Sequence, residues 1–424
     1  MAADAPPPRY PRAYAHSPAF NYLEARDRYL SAPLAPSYRF AIIGCGMMGI
    51  EHLQNTMLEG RATVGGLYDP APSSLAAAEA ALARFDRSAP RIYRDLADAA
   101  SDDSVDALLI CTPNYTHRAV FETLLDSGKA LFLEKPIATT VEDAWALCQL
   151  AANHSAPVRF GLQYRYKAIY AEAIQAVFSA QAIGQVRGVN MLEHRFPFLD
   201  KVGQWNKFNA KTGGTLVEKC CHYFDLLNLF AQGRPQRVFA TGHQAVNYRE
   251  FAYDGAPADG LDQASVIVDY DNQVVGTFEL CMFAPGAHEQ LIVTGDRGRL
   301  RAEESALLGE RNRNTLELWG GEHGPSRRSE PRYPRYIEEA GHHGSTFMEH
   351  VAFVDELGGA TPLTGPGGAP TLADGFWSVV VGAAAQRSIA ERRPVEVAEL
   401  LPDDFDPTRI VPAIANAANG AHTS

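Results

Sequence analysis

Three short stretches of the chain carry residue types that chemistry can use. In Thr215-Leu216-Val217-Glu218-Lys219-Cys220-Cys221-His222-Tyr223-Phe224-Asp225-Leu226, the residues Glu218, His222 and Asp225 stand at i, i+4 and i+7. On a helix starting near Thr215 these positions share one face and set an imidazole between two carboxylates. Histidine titrates near neutrality, so His222 suits the removal of an alcohol O–H proton as hydride leaves the carbon. Lys135, in Leu133-Glu134-Lys135-Pro136, offers a compact ammonium of the kind that can hold a substrate oxygen and stabilise alkoxide character, though a Lys before Pro at a strand end also reads as a surface residue. Glu218 would bind substrate or bias the His222 tautomer. The run Gly44-Cys45-Gly46-Met47-Met48-Gly49 has the spacing with which a backbone cradles a pyrophosphate. Base, oxygen-binding cation and nucleotide cradle together point to hydride transfer.

Plainer readings stand beside these. Thr215-x-x-Glu218 is also a capping-box pattern, in which Glu218 only closes the helix start. His222 also reads as a satisfied interior histidine, and Asp225 as a structural hydrogen-bonding group. Cys220 and Cys221 read as small packing residues.

The elements that must position these groups follow from periodicity. Arg39–Ile43 is a short strand, and a helix opens at about Gly46, so the glycine run sits where a dinucleotide turn must sit. Gly44 permits the tight turn, Gly46 lets the backbone approach a pyrophosphate, and Gly49 allows close helix–strand packing. Asp69 ends a second strand, 20 residues after Gly49, where an acid binds the adenosine ribose diol. A carboxylate there repels a 2′-phosphate, which favours NAD over NADP, though Asp69 before Pro70 is also a turn-former. A continuous apolar strand at Ala107–Cys111 and a further strand at Leu131–Glu134 alternate with helices, as in a doubly wound parallel sheet covered on both faces. This first domain is expected over 38–158.

A second domain is expected over 159–400. Runs at Val186–His194, Arg237–His243, Ala264–Tyr270, Val274–Cys281, Glu289–Thr294 and Leu300–Glu303 read as strands joined by hairpins at Asp271-Asn272 and Asp296-Arg297-Gly298. They predict an α+β domain with an open, mainly antiparallel sheet. Residues 305–345 are loop-rich and unordered by pattern, and a long helix is expected over 371–391. Residues 1–37 read as a disordered arm, or as one that packs on a neighbouring subunit through Tyr10, Tyr14, Phe20 and Tyr22, and 401–424 as a loose tail.

Composition limits the function classes. The chain has 424 residues and a formal net charge of −12. That balance argues against a nucleic-acid protein, yet allows an anionic cofactor held by local dipoles. Its six cysteines show no repeated zinc spacing, and no histidine pattern suggests a metal, so none is expected. No run matches a membrane span, and Met1–Tyr10 lacks the apolar core of a secretory signal. A cytoplasmic setting with free thiols is expected.

Two further segments carry a resemblance. Cys111-Thr112-Pro113-Asn114-Tyr115-Thr116-His117 at one strand end, followed by Glu134-Lys135-Pro136 at the next, resembles the glucose–fructose oxidoreductase/inositol dehydrogenase/rhizopine catabolism protein MocA family over residues 38–400. The resemblance implies that Thr112, Pro113, Asn114 and His117 line the nicotinamide side of the cofactor. It also implies that Glu134 helps to position the cofactor and that Lys135 reaches the reacting hydroxyl. The family's helix commonly reads Gly-Gly, then Asp-x-x-x-His-x-x-Asp. Here Glu218 replaces the first Asp, and Lys219 and Cys220 stand where a small apolar residue and Gly are usual. Arg165 and Tyr166 resemble a segment that enters the cleft. His194, Arg195 and Trp205 are candidates to reach a polyol, and His342-His343 to sit beside it. The resemblance implies an NAD-dependent dehydrogenase of a ring secondary hydroxyl in a sugar, glycoside or cyclic polyol. The alternatives are a redox-assisted glycoside lyase or hydrolase with tightly bound NAD, and a non-catalytic NAD-binding regulator. A homo-oligomer, dimer or tetramer, is expected through the open sheet and the arm.

Overall fold

The computed structural model describes residues 35–407, except 86–88, 198–199, 308–311, 322–323, 325 and 361–367. The first sheet has six strands: β1 (Tyr38–Ile43), β2 (Ala62–Tyr68), β3 (Arg91–Ile92), β4 (Ala107–Ile110), β5 (Ala130–Glu134) and β6 (Val158–Gly161). Their order is β3-β2-β1-β4-β5-β6, and every pairing is parallel. Alternate residues explain why the central strands are apolar throughout. Phe40 and Ile42 join one buried cluster, while Ala41 and Ile43 join the other, so helices cover both faces. The strand order reverses between β1 and β4. Such a switch point opens a crevice beyond the strand ends. β6 spans the expected boundary at 158 and closes this sheet.

The second sheet has nine strands in the order β16-β15-β14-β13-β7-β12-β11-β8-β17. They are β7 (Val186–His194), β8 (Pro235–His243), β11 (Gln263–Tyr270), β12 (Val275–Cys281), β13 (Gly286–Gly295), β14 (Arg299–Leu307), β15 (Arg313–Trp319), β16 (Ser326–Ser329) and β17 (Val395–Glu396). A small ribbon, β9 (Ala252–Tyr253) and β10 (Ala256–Pro257), stands apart. Buried and exposed residues alternate along β8 and β11, the mark of a sheet with one wet face. All pairings are antiparallel except β7 with β12. Hairpin patterns reveal only strands that follow one another, so this long-range parallel pair was not legible.

The helix Leu372–Glu391 packs on β8 and on the helix Cys221–Ala231, and reaches back to the helix Val141–Ala151 beside the first sheet. One apolar cluster therefore runs through both sheets. Two expectations need correction. Residues 305–345 are not wholly irregular: β15 and β16 extend the sheet there, hidden in sequence by the charges around Leu316 and Leu318. The helix expected from Thr215 is two pieces, Thr215–Glu218 and Cys221–Ala231, broken at Lys219 and Cys220. After β16 the chain returns to the first sheet through the helix Ser345–Leu357, which packs on the helix Met47–Glu59. The expected arm lies outside the described residues except for 35–37. The start of the expected tail is held: Phe405 packs on Trp145 and Phe376, and Trp145 Nε1 donates to Asp404 Oδ1 at 3.0 Å.

The glycine run gives a stability test. A Cβ at Gly49 would overlap the carbonyl oxygen of Gly44, whereas one at Gly46 would meet nothing within 4 Å. Gly49→Ala should lose roughly 1–3 kcal/mol or more in thermal unfolding, and Gly46→Ala far less. Equal melting temperatures for the two variants would contradict this packing.

Candidate active site

A cavity of about 770 Å³ opens beyond the ends of β1, β2, β4 and β5, with residues 200–211 and 253–256 on its other side. At one end lies the glycine turn. Gly44 has φ of +94°, and a Cβ there would lie 2.8 Å from the Cys111 backbone, so the turn needs glycine. Gly46 caps the helix Met47–Glu59 with no side chain bonded to its first amides. Those amides and the helix dipole face open space, which suits a pyrophosphate. Asp69 is fixed at the same end: Oδ2 accepts from the Cys45 N–H at 2.7 Å and Oδ1 from the Ala71 N–H at 2.8 Å. Open backbone approach, an uncapped helix start and a rigid carboxylate fit a dinucleotide. Met47, Met48, Thr112, Pro113 and Asn114 line the cavity too.

The other end carries charge. Lys135 and Glu218 both line the wall, with Lys135 Nζ 3.8 Å from Glu218 Oε1 and donating to the Glu218 carbonyl oxygen at 3.1 Å. Burial works against each charge, yet the pair wins. The carboxylate of Glu218 raises the Lys135 pKa despite burial, and Lys135, Lys201, Lys219 and Arg195 hold Glu218 below its usual range. Glu134 braces the turn from behind. Its Oε1 bonds His52 Nε2 at 2.7 Å and its Oε2 accepts from the Lys135 N–H at 2.9 Å. His52 Nδ1 in turn meets His350 Nε2 at 2.9 Å.

Several expected residues lie elsewhere. Gly49 and His117 do not line the cavity. His117 is buried, with Nδ1 2.8 Å from the Pro136 carbonyl oxygen and Nε2 2.9 Å from that of Thr112. It ties together the turns after β4 and β5 and acts on the site through them. Arg165 is buried against Asp225, with Nε 2.8 Å from Oδ2, and against Asp374 at 3.0 Å. The Tyr166 carbonyl oxygen accepts from the Tyr333 hydroxyl at 2.7 Å, and His194 pairs with Glu279 at 3.2 Å. His342 bonds Glu51 at 2.7 Å, and His343 meets Asn312. Trp205 does line the cavity.

His222 stands behind the wall. Its ring stacks on Tyr164 with centroids 4.1 Å apart, it is 2% exposed, and its Nδ1 has no partner among the described residues. Burial first, then the charges of Lys135 and Lys219, hold its pKa well below 6.5. The helix break separates Glu218, which lines the cavity, from His222 and Asp225, which lie on the next helix and meet Tyr164 and Arg165. No capping box forms, because Gly214 is the cap and the Thr215 hydroxyl donates to the Leu261 carbonyl oxygen at 2.7 Å. Sequence reasoning missed His52 and Lys201. His52, three residues beyond Gly49 on the inner helix face, was discoverable by helical spacing; Lys201 sits in an irregular segment with no periodic signal.

Comparison with known proteins agrees with this layout. Residues 38–162 match the model of an oxidoreductase family's NAD-binding Rossmann fold, and residues 179–397 match the same family's C-terminal alpha/beta domain. The chain is 26% identical over 365 residues to inositol 2-dehydrogenase of Rhizobium meliloti, covering 85% of this chain and 99% of the relative. It shares its fold with scyllo-inositol dehydrogenase from Lactobacillus casei, solved with NAD(H) and scyllo-inositol (TM-score 0.65, 22% identity, 85% of this chain and 99% of that one). It shares it also with levoglucosan dehydrogenase, solved with NADH and levoglucosan (TM-score 0.68, 18% identity, 85% and 99%).

Asp69 gives the site's own test. Asp69→Ala should narrow the preference for NAD over NADP by roughly tenfold, about 1.4 kcal/mol, in titrations of both nucleotides. An unmutated protein that prefers NADP would contradict the role of this carboxylate.

Proposed function

The chain belongs to the glucose–fructose oxidoreductase/inositol dehydrogenase/MocA family of NAD-binding oxidoreductases, and on that premise we propose that it oxidises a ring secondary hydroxyl of a cyclic polyol, sugar or glycoside. Bound NAD supplies the hydride acceptor. Lys135 donates a hydrogen bond to the reacting oxygen and stabilises the negative charge that grows there. Glu218 keeps that lysine charged and accepts from a substrate hydroxyl. His222 is the group to which we assign the proton, although its ring lies behind the wall, with Nδ1 open among the described residues. Its imidazole is neutral at neutral pH, because burial and Lys135 disfavour the charged form, and a neutral ring is the form that accepts. The observation that carries this reading is that Lys135 and Glu218 line the same cavity as the glycine turn and Asp69.

The surface supports a reading of assembly and setting. Phe239 and Ile267 lie opposite each other on β8 and β11 and are 43% and 45% exposed, with Val275 of β12 close by in sheet order at 44%. This apolar strip on the open face pairs with a second copy, making a homo-oligomer. Among the described residues no helix is long and apolar enough to cross a membrane, and the unpaired cysteines suit a reducing cytoplasm.

A panel of inositols, monosaccharides and glycosides with NAD tests the reading. At least one should give accumulating NADH; product without NADH would instead favour a transient-oxidation lyase or hydrolase. The pH profile has a definite sign. A pKa held below 6.5 keeps His222 neutral as pH falls through neutrality, so oxidation should persist from about pH 8 to about pH 6, with its acid limb lower still. An acid limb centred on 6.5 would contradict the state assigned to His222.

A further inference from the structure

The cavity holds a second ammonium that the proposed chemistry leaves unused. Lys201 lies between β7 and the short helix Val202–Lys207 and lines the cavity with Lys135. Its Nζ is 3.6 Å from Glu218 Oε1, the oxygen that Lys135 Nζ approaches at 3.8 Å. The ring of Trp205 lies 4.4 Å from the same ammonium. The Glu218 contact is a long ion pair and Trp205 offers only a ring face, so the ammonium, with three N–H donors, keeps some of them for a ligand. Glu218 Oε2, in turn, is buried with no donor. Open donors and an open acceptor side by side in a cavity wall are costly until a ligand completes them.

The chemistry of that ligand can be narrowed. A hydroxyl both donates and accepts, so it can serve an ammonium and a carboxylate together. The reacting hydroxyl gives its proton to the base and so has none for Glu218 Oε2, whereas a second hydroxyl on the adjacent carbon can donate there while accepting from Lys201. A carboxylate on the ligand would accept from the lysines, but it would meet the charge of Glu218 and leave Oε2 without a donor.

We propose that Lys201 is a substrate-binding residue and that Lys135, Glu218 and Lys201 together read a vicinal diol. This rests on the dehydrogenase reading above. Lys135 takes the reacting hydroxyl, Lys201 donates to its neighbour, and that neighbour donates to Glu218. The site then selects rings with a second hydroxyl beside the oxidised carbon. Lys201 is a specificity residue, since its contact is made before and after hydride leaves.

Two measurements on the NAD-loaded protein test this. Trace acetylation read by mass spectrometry follows the Lys201 amine directly. Burial, with Lys135 beside it, lowers the Lys201 pKa, while Glu218 raises that of Lys135 against burial, so the two lysines react differently. Myo-inositol, and the panel polyol that reduces NAD fastest, should protect Lys201. Kinetics on that polyol come second. Lys201→Met should raise KM roughly 10- to 100-fold, the loss of one charged hydrogen bond, and change kcat far less. Lys201→Arg should recover part of the loss. The deoxy analogue lacking the neighbouring hydroxyl should be poor with the unmutated protein and no poorer with Lys201→Met. Equal acetylation with and without polyol, or an unchanged KM in Lys201→Met, overturns the proposal. Failure of the dehydrogenase reading looks different, because no panel member would then reduce NAD. In that case protection of Lys201 by myo-inositol still supports the diol site, and its absence overturns it.

Discussion

The approach of Lys135 to Glu218 is the constraint on which the rest of this site depends. The lysine comes from the end of a parallel strand and the glutamate from a short helix beside the other sheet. Their side chains are 14% and 5% exposed. Partly dehydrated charges are costly, and each needs the other to remain charged. Yet at 3.8 Å the pair is too long for a direct hydrogen bond. The ammonium is thus kept protonated without being used up, and it retains donors for a substrate oxygen. A tighter bridge would stabilise the empty site and compete with the ligand.

Both partners are held in place by neighbouring groups. On the strand side, Glu134 is fixed by His52, and His117 ties the Pro136 carbonyl to that of Thr112. On the helix side, Gly214 has φ of +95°, and a Cβ there would run into Gln386. This close packing sets where the helix Thr215–Glu218 begins. At the break that follows, Lys219 turns inward, with Nζ 3.0 Å from Glu193 Oε1 and 3.1 Å from the Tyr164 hydroxyl. Tyr164 also stacks on His222. The lysine that departs from the usual family pattern is therefore a brace for the surface that carries the imidazole.

Much of this was legible in the sequence, for physical reasons. The glycine run, Asp69 and the strand ends at Thr112 and Lys135 are short-range patterns. Their meaning depends only on following a strand and opening a helix or turn, and all of these residues except Cys45 and Gly49 line the cavity. The second sheet was readable where hairpins join neighbours. Its parallel β7–β12 pair was not, because it depends on contacts far apart in the chain. The helix break at Lys219 and Cys220 was invisible to periodicity, since no Pro or Gly marks it. That one break separates Glu218 from His222 and Asp225. Arg165 and Tyr166 illustrate a different limit: a segment can pass close to a cleft while its side chains satisfy buried acids and backbone instead. Lys201 had no signal at all, because an irregular segment has no period from which to infer a direction.

The account turns on Lys135 and Glu218 acting as one unit on substrate, and a double-mutant cycle on kcat/KM measures that directly. Lys135→Met, Glu218→Gln and the double variant would be compared with the unmutated protein, using the polyol that it oxidises best. The account predicts that each single change costs most of the activity, and that the double variant is scarcely worse than Lys135→Met alone. NAD affinity should stay within a few-fold throughout. Losses that simply add, or a Lys135→Met variant that turns over normally, would contradict it.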